Sequence, residues 1–275
     1  MPDFMHDCKK GHPLIMGIVN VTPDSFSDGG LYMGAQNAID HGVCLIEQGA
    51  HILDIGGEST RPNAETVTVE EEIARVIPVI EGLSSKVKYI SIDTRNAKTV
   101  KAAIKVGANI INDVSGLTHD VDMSDIVAQS GLPVCIMHMQ GTPQTMQNAP
   151  RYDNVIDEIM AFFEERLEFC QKHGIDIHNV IFDPGIGFGK TLDHNLSILK
   201  NIHKFKSFGC PVLLGASRKS FIQDISGKTP ADNRIAGSIS AALYGLMNDI
   251  EIFRVHDVMQ TRQAFDVYQA ILGAS

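Results

Sequence analysis

Eight short apolar runs, each followed by a longer amphipathic stretch, constrain this chain more than any other feature. The runs cover 14–19, 51–55, 89–92, 109–111, 133–137, 180–182, 212–214 and 250–255, and they are rich in Val, Ile and Leu. Runs this short with little polar alternation suit parallel strands buried on both faces. Helical spacing of apolar residues predicts helices over 35–48, 69–83, 97–106, 123–129, 155–172, 192–205, 231–246 and 259–272. The stretch 155–172 shows the pattern. Asp153 is its expected N-cap, apolar side chains recur every three or four positions through Cys170, and Gly174 stops it. Gly49, Gly107 and Gly131 occupy the same place after other helices. Eight strand–helix units with right-handed crossovers leave a closed barrel or an open doubly wound sheet.

What ends each run separates the two. The first is followed by Asn20 and then Thr22-Pro23-Asp24-Ser25-Phe26, the second by Gly56-Gly57-Glu58-Ser59-Thr60-Arg61-Pro62. The others end at Asp93-Thr94-Arg95, Asn112-Asp113, His138, Asp183, Ser217-Arg218-Lys219 and Arg254-Val255-His256-Asp257. Helix capping accounts for Thr94, Asp113 or Asp257 taken singly. It does not account for Lys219, Arg254 or His256. A barrel gathers all eight ends at one mouth, where such folds place their active sites, and an open sheet does not. The expected fold is therefore α/β, a single (β/α)8 TIM barrel over 14–275 behind an N-terminal extension at 1–13.

Charge and composition narrow the partners. With 23 basic and 33 acidic residues, the net charge of −10 argues against nucleic acid or an anionic membrane surface. No apolar run approaches the roughly 20 residues of a membrane helix, and 1–13 has no apolar signal core. Five cysteines without a C-x-x-C pair read as reduced thiols of a cytoplasmic protein.

At the mouth, Asp93, Asn112 and Asp183 match the donors of an amino-pyrimidinone edge, and buried carboxylates need such donors. Lys219 faces the ligand's carbonyl or ring nitrogen, and Met137 and Phe188 offer flat apolar faces. Arg254, His256, Asn20 and Arg61 form a separate group suited to a pyrophosphate and its metal ion. The string 183–191, Asp-Pro-Gly-Ile-Gly-Phe-Gly-Lys-Thr, imitates a nucleotide loop. Pro184 stands where a P-loop needs Gly, and Lys190 where a dinucleotide fingerprint needs its third Gly. His138 is expected to be a packed, hydrogen-bonded histidine. Asp54 is expected to orient Arg61 or a loop amide, and Arg95 and Arg218 to be supporting or surface groups.

These strings also resemble a known family. Residues 16–30, Met-Gly-Ile-Val-Asn-Val-Thr-Pro-Asp-Ser-Phe-Ser-Asp-Gly-Gly, and 54–62, Asp-Ile-Gly-Gly-Glu-Ser-Thr-Arg-Pro, are similar to two signatures of the dihydropteroate synthases. Further matches follow in family order, at 91–94, 112–116, 137–141, 183–190, 217–220 and 254–258. The resemblance implies a transferase of folate biosynthesis. It would join 6-hydroxymethyl-7,8-dihydropterin pyrophosphate to 4-aminobenzoate with Mg²⁺, as a cytoplasmic homodimer and sulfonamide target. It implies that Asp93, Asn112, Asp183 and Lys219 hold the pterin, and that Arg254, His256 and Asn20 hold pyrophosphate and metal. Phe26, Thr60, Arg61, Pro62 and Ser220 would border the aminobenzoate. Asp183, Lys219, Asp24 and Arg254 are the expected catalytic groups, acting through a pterin cation after pyrophosphate departs. The loops 21–30 and 57–67 are long enough to close over the site. Asn63 stands where the family commonly has Gly, which implies altered loop mobility. The rival readings are a pterin-dependent methyltransferase of the same superfamily and a catalytically silent pterin-binding protein. Pyrophosphate release dependent on the aminobenzoate separates them.

Overall fold

A computed structural model describes residues 4–22, 30–59 and 67–274. After helix α1 (Phe4–Cys8), the chain alternates β1 (Leu14–Asn20), α2 (Gly30–Glu47), β2 (Ile52–Gly56), α3 (Val69–Leu83), β3 (Tyr89–Asp93), α4 (Ala97–Lys105) and β4 (Ile110–Asp113). It continues with α5 (Met123–Ser130), β5 (Val134–Met137), α6 (Val155–Lys172), β6 (Val180–Asp183), α7 (Leu192–Lys200), β7 (Leu213–Leu214), α8 (Ser220–Ser226), α9 (Ile235–Leu246), β8 (Ile252–Val255) and α10 (Val258–Leu272). All strand pairs are parallel, in the order β6-β5-β4-β3-β2-β1-β8-β7. A parallel bridge between Phe182 and Val212 joins β6 to β7 and closes the barrel.

Strand parity sorts the core into two clusters. Ile15, Leu53, Ile90, Ile111, Ile136, Phe182, Leu214 and Phe253 pack outward with the helices. Their neighbours Leu14, Met16, Ile52, Tyr89, Ile110, Cys135, Ile181, Leu213 and Ile252 fill the barrel interior. Continuing that inner parity toward the strand ends gives Asn20, Asp54, Ser91, Asp93, Asn112, Met137, Asp183, Arg254 and His256. The interior therefore changes from apolar at one end to polar at the other. Such a change places the chemistry at the C-terminal mouth.

The apolar end is sealed by α1. Phe4, Met5 and Cys8 are buried in the inner cluster, and the Phe4 ring meets Tyr89 edge-on at 4.9 Å between centroids. Asp7 accepts hydrogen bonds from Lys10, Lys88 and the Tyr89 hydroxyl, which hold its carboxyl well below the usual range. Residues 4–8 thus belong to the barrel's packing. Phe4→Ala is expected to cost about 3 kcal/mol in chemical denaturation, the order seen for emptying a buried Phe site. A change below about 0.5 kcal/mol would show that the plug contributes nothing to the core.

Several local details depart from the sequence expectation. The N-cap of α6 is Asn154, not Asp153: the Asn154 side chain accepts from the backbone N–H of Ile156 and Asp157. The expected 231–246 helix starts as a separate 3-10 turn, and the 192–205 helix ends as one. Asp257 sits at the N-cap position of α10 but caps nothing, because its carboxylate takes Arg218 instead. The helix-ending glycines behave as expected: Gly49, Gly107, Gly131 and Gly174 all have positive φ. Among the described residues no helix is long and apolar enough to cross a membrane. All five cysteines are free, and Cys44 alone is exposed.

Candidate active site

Arg254 organises the floor of the mouth. Its Nε donates to Asp54 Oδ2 and its Nη2 to Asp93 Oδ2, both at 2.6 Å. Asn112 Nδ2 donates toward both Asp54 oxygens at 3.3 and 3.4 Å. Asp54 is wholly buried. Burial opposes the Arg254 charge, but Asp54 and Asp93 hold it protonated above its ordinary value. Burial raises the Asp93 carboxyl, and Arg254 opposes that rise. The sequence groups Arg254 with His256, Asn20 and Arg61; the structure pairs it with Asp54 and Asp93. Among the described residues Asp54 is bonded by Arg254 and Asn112; Arg61, its expected partner, lies outside them.

Opposite lies Asp183, whose Oδ1 accepts the Gly185 N–H at 2.7 Å. Burial raises its carboxyl, while that N–H bond, Lys219 and Lys190 counteract. Glycine at two inner positions leaves room beside these groups. A Cβ on Gly215 would stand 3.7 Å from Asp183 Oδ2, and one on Gly56 would meet the Asp93 side chain at 3.4 Å.

Lys219 sits with its ammonium 4.1 Å from the centroid of the Phe188 ring. Burial lowers it to about 8, helped by Arg254 and opposed by Asp183 and Asp93. The turn that presents it is held by its neighbour. Arg218 has φ of 57°, a conformation costly for a side-chain-bearing residue. Its guanidinium bonds Asp257 in two places and pairs with Asp232, and its carbonyl accepts from Arg234. Arg218 is therefore the brace of the Lys219 turn. Arg95 has a comparable supporting contact, a two-pronged pair with Glu58 at 3.0 and 3.2 Å.

His256 is half-buried, and its backbone N–H donates to Ser217 Oγ at 3.2 Å while its Nδ1 lies 3.1 Å from the same oxygen. Ser217 Oγ can accept from or donate to that nitrogen, so either ring tautomer makes the contact. Burial, Arg254 and Arg218 lower the ring to about 3, so it is neutral at pH 7. Asn20 ends β1 half-buried, Met137 is buried beside Asp183 in register, and Ser220 is the exposed first residue of α8. His138 is packed and hydrogen-bonded, as expected, with its ring edge-on to Phe162. Asp24, Phe26, Thr60, Arg61, Pro62 and Asn63 lie outside the described residues.

Two charged groups buried at this end of the barrel are not among the site residues expected from sequence. Asp54 lies inside an apolar run, and its inner parity with Ile52 was the available signal. Lys190 was dismissed with its false nucleotide loop, yet it is buried against His138. A Lys at the end of a glycine-rich turn gave no sign of burial.

Known proteins of this shape have matching sequences. The model of the family described as pterin binding enzyme matches residues 16–256. The dihydropteroate synthase of Escherichia coli (strain K12) is 46 % identical over 264 residues, covering 96 % of this chain and 93 % of that protein. The Xanthomonas albilineans dihydropteroate synthase solved with 4-aminobenzoic acid superposes with a TM-score of 0.90 at 43 % identity, covering 96 % of this chain and 94 % of that one. The same enzyme in complex with 7,8-dihydropteroate gives 0.87 at 41 %, covering 96 % and 95 %. With its polar barrel mouth and its likeness along nearly the whole length, the chain belongs to the dihydropteroate synthase family of pterin binding enzymes.

Proposed function

We propose that this chain condenses 6-hydroxymethyl-7,8-dihydropterin pyrophosphate with 4-aminobenzoate, yielding 7,8-dihydropteroate and pyrophosphate. The observation that carries the reading is that Asp93 and Asp183, at the inner ends of β3 and β6, both act on the buried cations Lys219 and Arg254, with Arg254 bonded to Asp93 and Asn112 bonded to Asp54 beside them. Relatives solved with 4-aminobenzoic acid and with 7,8-dihydropteroate support it. A methyltransferase is not favoured, since the relatives spanning the chain are synthases.

In this reading Asp183 accepts from the ring N–H and exocyclic amine of the pterin, and Asn112 both donates and accepts. Lys219 donates to its carbonyl or ring nitrogen, with Phe188 and Met137 against its faces. Arg254 and the neutral ring of His256 face the pyrophosphate, with Arg61 assigned from sequence. The bond from the pterin's exocyclic methylene carbon to oxygen breaks, and its electron pair leaves with pyrophosphate. Asp183, with Asp24 from sequence, stabilises the pterin cation left behind. The aminobenzoate nitrogen then attacks that carbon and loses a proton. It is neutral at pH 7 and needs positioning by the groups assigned from sequence at Phe26, Thr60, Arg61, Pro62 and Ser220.

Mg²⁺ fits this site as a companion of the substrate. Among the described residues no cluster of three His, Cys, Asp or Glu could hold a metal ion. Asn20 would supply an amide oxygen, and Mg²⁺ characteristically takes its remaining ligands from phosphate and water. When bound it would neutralise charge on the leaving pyrophosphate.

The family assignment also favours a cytoplasmic homodimer. Tyr244 and Met247 at the end of α9, with Val267 and Ile271 on the adjacent α10, are exposed apolar side chains suited to a second copy. The test is pyrophosphate release with dihydropterin pyrophosphate and Mg²⁺, run on protein whose mass in solution is expected to be a dimer's. Release should require 4-aminobenzoate and be blocked by a sulfonamide. Folded, pterin-binding protein that releases none would refute the synthase reading and leave a silent pterin binder.

A further inference from the structure

Lys190 is 4 % exposed and takes no part in the reaction described above. Its ammonium has three hydrogens and three acceptors: the Phe188 carbonyl at 2.9 Å, the His138 carbonyl at 3.2 Å and His138 Nδ1 at 3.1 Å. Two of these lie on the segment leaving β5 and one on the turn leaving β6. The segments are packed backbone to backbone. A Cβ on Gly185 would fall 2.0 Å from the His138 carbonyl oxygen, and one on Gly189 would fall 2.5 Å from that of Gln140. Gln147 and Tyr152 reinforce the seam by donating to the carbonyls of Gly187 and Gly189. A lysine is costly in such a place. The same turn carries Asp183 at one end and, through Phe188, the ring against which Lys219 rests.

We propose that Lys190 is a positioning residue for the pterin site. Its ammonium ties the β5 and β6 turns together, fixes Phe188 against Lys219, and stands over Gly185, 3.3 Å from where a Cβ on that residue would be, the residue whose N–H holds Asp183. The proposal rests on the reading of this mouth as the pterin site. The groups facing Asp183 are Lys190 from its own turn, Lys219 from the turn after β7, Arg254 from β8 and the Cys135 thiol from β5. Lys190 is faced by Asp183, Lys219 and neutral His138; burial lowers its ammonium to about 7, helped by Lys219 and opposed by Asp183, so it is charged across the acid limb. Removing the Lys190 charge leaves Asp183 with less cationic support, so Asp183 takes up its proton at a higher pH.

Lys190→Met should raise KM for the pterin pyrophosphate on the order of tenfold. KM for 4-aminobenzoate should change less than twofold. The acid limb of kcat/KM for the pterin should move to higher pH. Asp93 keeps Arg254 in the variant, so the movement reports Asp183. Lys190→Gln, which retains N–H donors without charge, should recover part of the KM and none of the pH shift. A purely structural defect would scale the profile without moving it. Folded Lys190→Met with an unmoved acid limb would overturn the proposal, whatever its KM. Should that variant fail to fold, the Lys190→Gln profile decides by the same criterion. If the wild type itself does not turn over, the synthase reading has failed. The Lys190 proposal is then read from the pH dependence of pterin pyrophosphate binding, followed by ligand fluorescence.

Discussion

Asp183→Asn is expected to keep the barrel folded and to lower turnover by about a hundred- to a thousandfold. The carboxylate stands at the inner end of β6 with one oxygen on the Gly185 N–H and the other beside the space at Gly215. An amide there loses the charge that faces Lys219 and that would face the pterin cation. It also presents an NH2 where two ligand donors need an acceptor. A hydrogen bond to a charged partner contributes about 1.5–3 kcal/mol, and losing one preorganised transition-state contact costs about 2.7–4 kcal/mol. Stability should move the other way. Burial raises the Asp183 carboxyl, so its ionisation costs stability as pH rises through the folded value. The amide carries no such cost. The variant should match the wild type in acid and equal or exceed it at neutral pH. Pyrophosphate release and thermal melts at two pH values check both halves, and near-normal turnover would remove Asp183 from the mechanism.

How far the sequence could be read depended on whether a residue's partners were local. The barrel was legible because each strand is a local apolar run and each strand end a local polar string. Asp93, Asn112, Asp183 and Lys219 were placed by that rule alone. The Arg254–Asp54 pair spans 200 positions, and nothing near either residue announces the other. Asp153 and Asn154 are both good caps, and only the backbone path decides that Asn154 caps α6. Helix α1 is too short for a periodic signal, and its place follows from the open apolar floor of the barrel. Lys190 had the same cause: its burial is set by the packing of two turns that lie about 50 residues apart in sequence.

The pairing at Arg254 makes the second large effect. Arg254→Met should abolish measurable synthesis and destabilise the protein by about 3–5 kcal/mol, the cost of breaking a buried ion pair from one side. Met preserves apolar bulk but leaves wholly buried Asp54 and half-buried Asp93 without their donor at 2.6 Å. Asp93 is already raised by burial against the pull of Arg254, and without that pull it rises further. A group raised above its unfolded value contributes its stability in acid and loses it as pH rises through the folded value. The deficit of Arg254→Met should therefore be larger at pH 8 than at pH 5 in chemical denaturation. Adding Asp54→Asn should recover part of the stability, because one uncompensated charge is gone, and none of the activity, because the cation is still missing. Equal deficits at both pH values, with no recovery in the double variant, would mean that the carboxylates are not held by Arg254. The mouth would then owe its shape to strand packing alone.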